Sequence, residues 1–278
     1  MCQLCDANST FWAARRGFLL AAAMTAAAPV LAQVNVGEAS RLRSLVPANE
    51  LEMAAAQQYG QLLEQARAKR ALAPESHPQL QRLRAISARL IPDAGRWNER
   101  ARQWKWEVNL IGSQSINAFC MPGGKIAFFT GILDKLQLTD DEVAMVMGHE
   151  MAHALREHAR ARIAKSQGTG ALLSLGAQLF GLGQIGDLAA NIGTQLLTLK
   201  FSRDDETEAD LVGLEMGARA GFNPEASISL WDKMGRASGG NGSPGFLSTH
   251  PTGPDRTERL RENVPRVMGL YRQAAARR

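Results

Sequence analysis

Cysteine is nearly missing from this chain, with three among 278 residues at Cys2, Cys5 and Cys120. The first two fall in a stretch that reads as a removable leader, which leaves Cys120 without a partner and excludes an intramolecular disulfide in the shortened chain. Stability then has to come from packing or a bound metal. Neither sign of charge dominates, with 32 basic and 27 acidic residues. The net charge is +5, spread along the chain without a lysine run or interleaved aromatics, so the composition offers no nucleic-acid-binding surface. Internal repeats are absent. The hydrophobic share of 45% and charged share of 21% are those of an ordinary globule, neither disordered nor fibrous.

The amino-terminal stretch "AARRGFLLAAAMTAAAPVLAQV" combines a basic pair, Arg15 and Arg16, with an apolar run from Phe18 and a small-residue end at Ala32. It predicts an export signal over residues 1–32, removed after Ala32, and a single domain over 33–278. The paired arginines before Gly-Phe-Leu resemble a twin-arginine signal, which exports folded proteins and suits one loaded with metal beforehand. An ordinary secretory signal is the alternative. An uncleaved anchor fits less well, because the apolar run falls short of the roughly 20 residues that span a membrane.

Residues 38–73 favour helix, and a second helix follows Pro78 in "PQLQRLRAISARLI"; both read as packing helices over a core. Trp104, Trp106, Val108 and Leu110 then alternate with polar residues, the pattern of a half-buried strand. A second strand is predicted at "KIAFFTG" after the turn "MPGG", giving a small antiparallel sheet. Thr139 with Glu142 fits a capping box for a helix running to about Lys165, and Asp140 and Asp141 suit its positive end. From 166 to 199 only Asp187 is charged; buried helices, a flap, a membrane-touching hairpin or a glycine-rich lid all fit. Helices over 204–220 and 224–237, a loop "ASGGNGSPG" and a basic helical tail from Asp255 complete the chain.

Three of the five histidines lie in "MGHEMAHALREH", residues 147–158. His149 and His153 are one helical turn apart, about 40° around the axis, so both can offer nitrogens to one ion. Glu150 falls on the flank, where it reaches a water rather than the metal. On one continuous helix His158 would point to about the opposite side, which assigns it to packing. The third ligand is sought in "DDETEAD". Glu206 and Asp210 share a face with Ala209, Gly213 and Met216, the side that presses on a core, whereas Glu208 lies on a more mixed side. Glu206 is the expected ligand and Asp210 the carboxylate that accepts a histidine N–H. A purely electrostatic role at the helix start accounts for Asp204 and Asp205 but not for Asp210.

These motifs, together with "NAFCMPGGKIAFFTGIL" and "STHPTGPDR", resemble the gluzincin metallopeptidases of the CAAX-prenyl-protease and HtpX-like family, number forty-eight, and within it the soluble periplasmic BepA-like branch. The resemblance covers most of residues 40–265. It implies an α+β fold, mainly helical, with a small antiparallel sheet beside the HExxH helix, and one Zn²⁺ per chain. It further implies that Asn117, Ala118 and Phe119, with the turn glycines Gly123 and Gly124, present a sheet edge to a peptide substrate. His250 is placed near the metal, as oxyanion stabiliser or as an extra ligand, and Arg256 braces the site. The chain departs from that branch in having no helical repeats after the domain. Cys120, where small or apolar residues are usual, reads as a buried hydrophobe.

The expected function is a zinc endopeptidase of the periplasm, with polypeptide partners drawn from unfolded or misassembled envelope proteins and peripheral membrane contact through 166–199. The rival expectation is a zinc-containing chaperone-like protein without turnover, against which an intact Glu150 argues.

Overall fold

The computed structural model of the chain describes residues 34–167, 199–238, 245–250 and 255–277. The expectations for the leader, for nearly all of 166–199 and for most of the glycine-rich loop after the 224–237 helix lie outside them. Helix α1 (Ala48–Ala68) and helix α2 (Pro78–Leu90) precede three short strands: β1 (Glu107–Ile111), β2 (Ala118–Met121) and β3 (Lys125–Phe129). Helices α3 (Thr130–Leu136), α4 (Asp140–Leu155), α5 (His158–Gln167), α6 (Arg203–Arg219), α7 (Ala226–Ser238), α8 (Gly245–Thr249) and α9 (Arg256–Ala275) follow. Among the described residues no helix is long and apolar enough to cross a membrane.

The sheet is mixed rather than antiparallel, which corrects the expectation from sequence. Its order is β1-β3-β2, with β3 antiparallel to β2 and parallel to β1. The glycine turn explains the first pairing: Gly123 and Gly124 both have positive φ, of 82° and 77°, and a Cβ on Gly124 would sit 2.7 Å from the Trp106 ring. β1 joins the other edge of β3 in the parallel sense, Glu107 beside Lys125 through Ile111 beside Phe129, which leaves β2 at the edge. The outer side of β1 is covered by the chain before α2, through Ala73 N–H to Leu110 O and Gly112 N–H to Ala71 O.

The strands are also buried on both faces. Tyr59 of α1 donates to Ile126 O and accepts from Asn109 Nδ2 at 3.1 Å, which satisfies the one polar side chain inside β1. Around it Ala55, Ala66, Ile111, Met121 and Ala127 form a core cluster. The opposite face packs on α4, whose residues from Glu142 to Leu155 are all buried. Trp104 and Trp106 precede β1 instead of opening it, since Trp104 Nε1 is held by Glu52 Oε1 at 3.0 Å and Trp106 Nε1 by Ala101 O at 3.1 Å.

Helix α4 starts where its cap is written: Thr139 accepts from the Glu142 N–H and Glu142 returns the bond to the Thr139 N–H. It does not run on to Lys165. Glu157 adopts a left-handed φ of 57°, the chain turns, and α5 begins afresh at His158. Arg160 and Arg43 both pair with the Glu157 carboxylate and Arg160 bonds Val46 O, contacts with the 3₁₀ turn before α1 that hold this strained residue in place.

Candidate metal centre

Two glycines set the geometry of the centre. Helices α4 and α6 cross at Gly148 and Gly213, so closely that a Cβ on Gly213 would stand 2.6 Å from the His149 backbone nitrogen and one on Gly148 2.9 Å from the Gly213 carbonyl oxygen. Only residues without side chains permit that approach, and it lays the acidic start of α6 against the histidines of α4. Glu206 is thereby brought within 3.5 Å of both imidazoles, from Oε2 to His149 Nε2 and from Oε1 to His153 Nε2.

The structure brings His149, His153, Glu206 and His250 together: each offers one ligand atom, and the four atoms lie within 4.8 Å of one another, all on buried residues. Such a set can hold a metal ion. The donor chemistry fits one. His149 Nε2 faces His153 Nε2 at 3.1 Å and His250 Nδ1 at 3.3 Å, and Glu206 Oε2 and Glu150 Oε1 are buried without a hydrogen-bond partner. Nitrogens and carboxylate oxygens crowded in this way repel in the absence of protons or a shared cation. Glu150 stands beside the set, its Oε1 3.6 Å from His250 Nε2.

Asp210 and Arg256 surround the first imidazole. Asp210 Oδ1 is 2.9 Å from His149 Nδ1, and Arg256 donates from Nε to Oδ2 at 2.6 Å and from Nη2 to Oδ1 at 2.7 Å. With a carboxylate accepting at Nδ1, the lone pair of His149 is directed from Nε2 into the centre. Arg256 Nη1 also lies 3.1 Å from Glu206 Oε2, near enough for charge attraction but not aligned as a hydrogen bond. The guanidinium itself rests on the Trp231 ring, 3.3 Å from its centroid.

Burial and charge act against each other throughout. Burial pushes the Glu150 carboxyl up, and the neighbouring His250 and His149 offset only part of it. For Asp210 burial works in the same direction, but the Arg256 charge and the His149 contact prevail and hold it low. Glu206 is likewise lowered against its burial, by His250, His149 and Arg256. Burial drives His153 well below the usual imidazole range, helped by the neighbouring rings. His250 is raised in spite of burial, by the Glu150 and Glu206 carboxylates.

A cleft of about 260 Å³ opens onto this cluster, enough for a peptide side chain. Asn117, Ala118, Phe119 and Cys120 form one side; Leu62, Phe129, Leu199 and Phe201 add apolar surface; Glu150, His153 and His250 lie at its base. Gly123 and Gly124 are not among the lining residues; they form the turn between β2 and β3. Strand β2 is the edge of the sheet. Since Phe129 N–H bonds Asn117 O, alternation turns the N–H and C=O of Phe119 and Met121 toward β3 and those of Ala118 and Cys120 outward. The Cys120 thiol is buried and its pKa is pushed well up by that burial and by Glu150, so it remains a neutral thiol.

Sequence reasoning set aside two residues that the structure brings in. His158 is buried against His153, and Glu208 holds His158 in turn. The dismissal of His158 assumed an unbroken helix, and the break at Glu157 removes that assumption. No residue type announces a left-handed glutamate; only the density of histidines in the segment could have kept His158 in view.

The family profile described as peptidase family M48 matches residues 77–264. Among curated proteins the chain is 38% identical to the mitochondrial metalloendopeptidase OMA1 of Arabidopsis thaliana over 175 residues, 62% of this chain and 35% of that protein. It is 35% identical to OMA1 of Schizosaccharomyces pombe over 194 residues, 69% of this chain and 55% of that one. The metalloprotease LoiP of Escherichia coli is 29% identical over 156 residues, 55% of this chain and 60% of LoiP. The chain thus spans one third to three fifths of the length of these relatives. Because the matched stretch contains the sheet edge, the histidine helix and the acidic helix packed on it, the chain belongs to peptidase family M48.

Proposed function

We propose that the chain is a zinc-dependent endopeptidase. The carrying observation is the buried convergence of His149, His153 and Glu206 at the base of a cleft with Glu150 beside them. The names of the relatives, metalloendopeptidase and metalloprotease, support the same reading. His149, His153 and Glu206 would hold the ion, with Asp210 and Arg256 orienting His149. Zinc in such a site polarises a peptide carbonyl and makes water more acidic. The protein's own part is positional and protonic. A substrate strand pairs with the outward carbonyls of Ala118 and Cys120 and the Cys120 N–H, and with the Ala118 N–H once it leaves Asn117 Oδ1. The Glu150 carboxylate takes a proton from the attacking water and delivers it to the leaving nitrogen, a task suited to its raised pKa. His250, carrying a proton between two carboxylates, can donate to the developing oxyanion.

Recognition through backbone favours unfolded chains, so the proposed substrates are unfolded or misassembled proteins of a bacterial envelope. Export by the leader at 1–32, a periplasmic location and a single peptidase domain over 33–278 belong to the same proposal. A second reading has a specific observation behind it: His250 Nδ1 lies 3.0 Å from Glu206 Oε1 and within the ligand group, so His250 also serves as a fourth ligand in a resting state.

Casein cleavage by the purified protein, its Glu150→Gln variant and its His250→Ala variant tests both readings, with bound zinc measured in each. Glu150→Gln should keep its zinc and lose about 10²-fold or more of the rate. Equal rates in parent and Glu150→Gln sink the endopeptidase mechanism. Faster cleavage by His250→Ala selects the resting-ligand role, slower cleavage the oxyanion role.

A further inference from the structure

Three buried or half-buried polar groups near the centre have no part in the chemistry above: Arg156, His158 and Glu208. Because the chain turns at Glu157, the first residue of α5 folds back onto the last turn of α4. His158 Nδ1 then lies 2.9 Å from His153 Nδ1, and its Nε2 lies 3.3 Å from Glu208 Oε2. Arg156 Nε donates to the same carboxylate oxygen at 2.8 Å. His158 is only 4% exposed.

The direction of these bonds follows from what each atom can do. A carboxylate only accepts, so the hydrogen on His158 sits at Nε2 and its Nδ1 carries a lone pair. His153 Nδ1 is therefore the donor in the pair at 2.9 Å, and the lone pair of His153 is on Nε2. That is the nitrogen facing His149 Nε2 at 3.1 Å and Glu206 Oε1 at 3.5 Å. The chain Glu208, His158, His153 thus runs outward to inward, each member fixing the tautomer and ring angle of the next.

We propose that His158 and Glu208 are positioning residues that present His153 Nε2 to the metal, a second arm matching the one that Asp210 and Arg256 provide for His149. Each arm ends in a carboxylate paired with an arginine, Asp210 with Arg256 and Glu208 with Arg156. They differ in reach. Asp210 touches its imidazole directly, whereas Glu208 acts through one more ring. The arm also couples the helix break to the centre, because a continuous helix would carry His158 away from His153.

The proposal rests on the zinc reading, and its test separates the two. Zinc affinity is measured by competition with a chromophoric chelator for the full chain, and the melting temperature of each metal-free protein is recorded alongside. His158→Phe keeps a ring of similar size but has no acceptor for the His153 N–H; it should weaken zinc binding by about 10- to 100-fold. His158→Asn offers a side-chain oxygen near the position of Nδ1 and should recover most of that loss. A role in packing alone predicts the reverse order, with phenylalanine tolerated and the smaller asparagine not. Glu208→Gln, at a side chain 26% exposed, should fold normally and bind zinc severalfold more weakly than the parent, staying within about tenfold. Parent-like affinity in His158→Phe overturns the arm, as does an asparagine variant no better than phenylalanine. If His158→Phe does not fold, an unchanged affinity in Glu208→Gln overturns it instead. A parent chain that binds no zinc sinks the metal centre itself.

Discussion

The two walls of the cleft are built on opposite principles. On the metal side, His149, Glu150 and His153 of α4 meet Glu206, Glu208 and Asp210 of α6, all but Glu208 buried. His158, His250 and Arg256 close around them, with Glu150 Oε1, Glu206 Oε2 and Arg256 Nη1 left without a hydrogen bond. On the proposed substrate side, β2 offers apolar side chains and a backbone edge that no other described strand covers, with Phe129 and Phe201 nearby and the Ala118 N–H held by Asn117 Oδ1 at 3.0 Å. The first wall is specific in its atoms, because an ion requires fixed donors. The second is specific in its direction only, because a peptide backbone carries the same groups whatever its side chains. A site made of both should demand one metal geometry and accept many sequences.

Altering the helix crossing should have the largest effect. Gly213→Ala places a Cβ against the backbone of His149, which cannot rotate away, so a destabilisation of about 3 kcal/mol is expected by chemical denaturation. Zinc affinity should fall with it, since Glu206 is carried off with α6. Unchanged stability would mean that the helices are not held at this distance.

The substrate wall can be probed from the other partner. In a series of peptides N-methylated at successive positions, methylation of an amide that meets the β2 edge should raise KM by about tenfold, the value of one hydrogen bond of roughly 1.4 kcal/mol. Methylation of the next amide should do little. A response without this period of two contradicts strand addition.

The smallest effect lies at the start of α4, away from both walls. Burial works to raise the Glu142 carboxyl, yet Lys233, the Thr139 backbone and Ser229 together hold it lowered. A carboxylate lowered in the folded state stabilises above its unfolded pKa and loses that contribution as pH falls through the folded value. Glu142→Gln should therefore cost about 1 kcal/mol at neutral pH, and the gap from the parent should close in acid, well below 4.5. A gap that persists there would assign Glu142 to packing.

Much of the metal side was legible because its signals are local. The capping box at Thr139 marks the start of α4, and helical period puts His149 with His153 and Glu206 with Asp210 on single faces. The sheet was read less well. Alternation pointed to β1 and the glycine turn to β3, while the edge at β2 came only with the family resemblance; the order depends on which of the hairpin's two edges β1 joins, and alternation carries no such information. Likewise Asn109 looked like a solvent-facing residue until Tyr59 of α1 supplied its partner.

By itself the sequence determined the elements and the pairs within them, since caps and i,i+4 spacing are settled over a few residues by backbone geometry. Only the tertiary structure decided the meetings. Gly148 against Gly213 sets how near Glu206 comes to the histidines, and the left-handed turn at Glu157 returns His158 to His153. Both depend on contacts between segments more than forty residues apart, where steric fit and not local propensity selects the conformation.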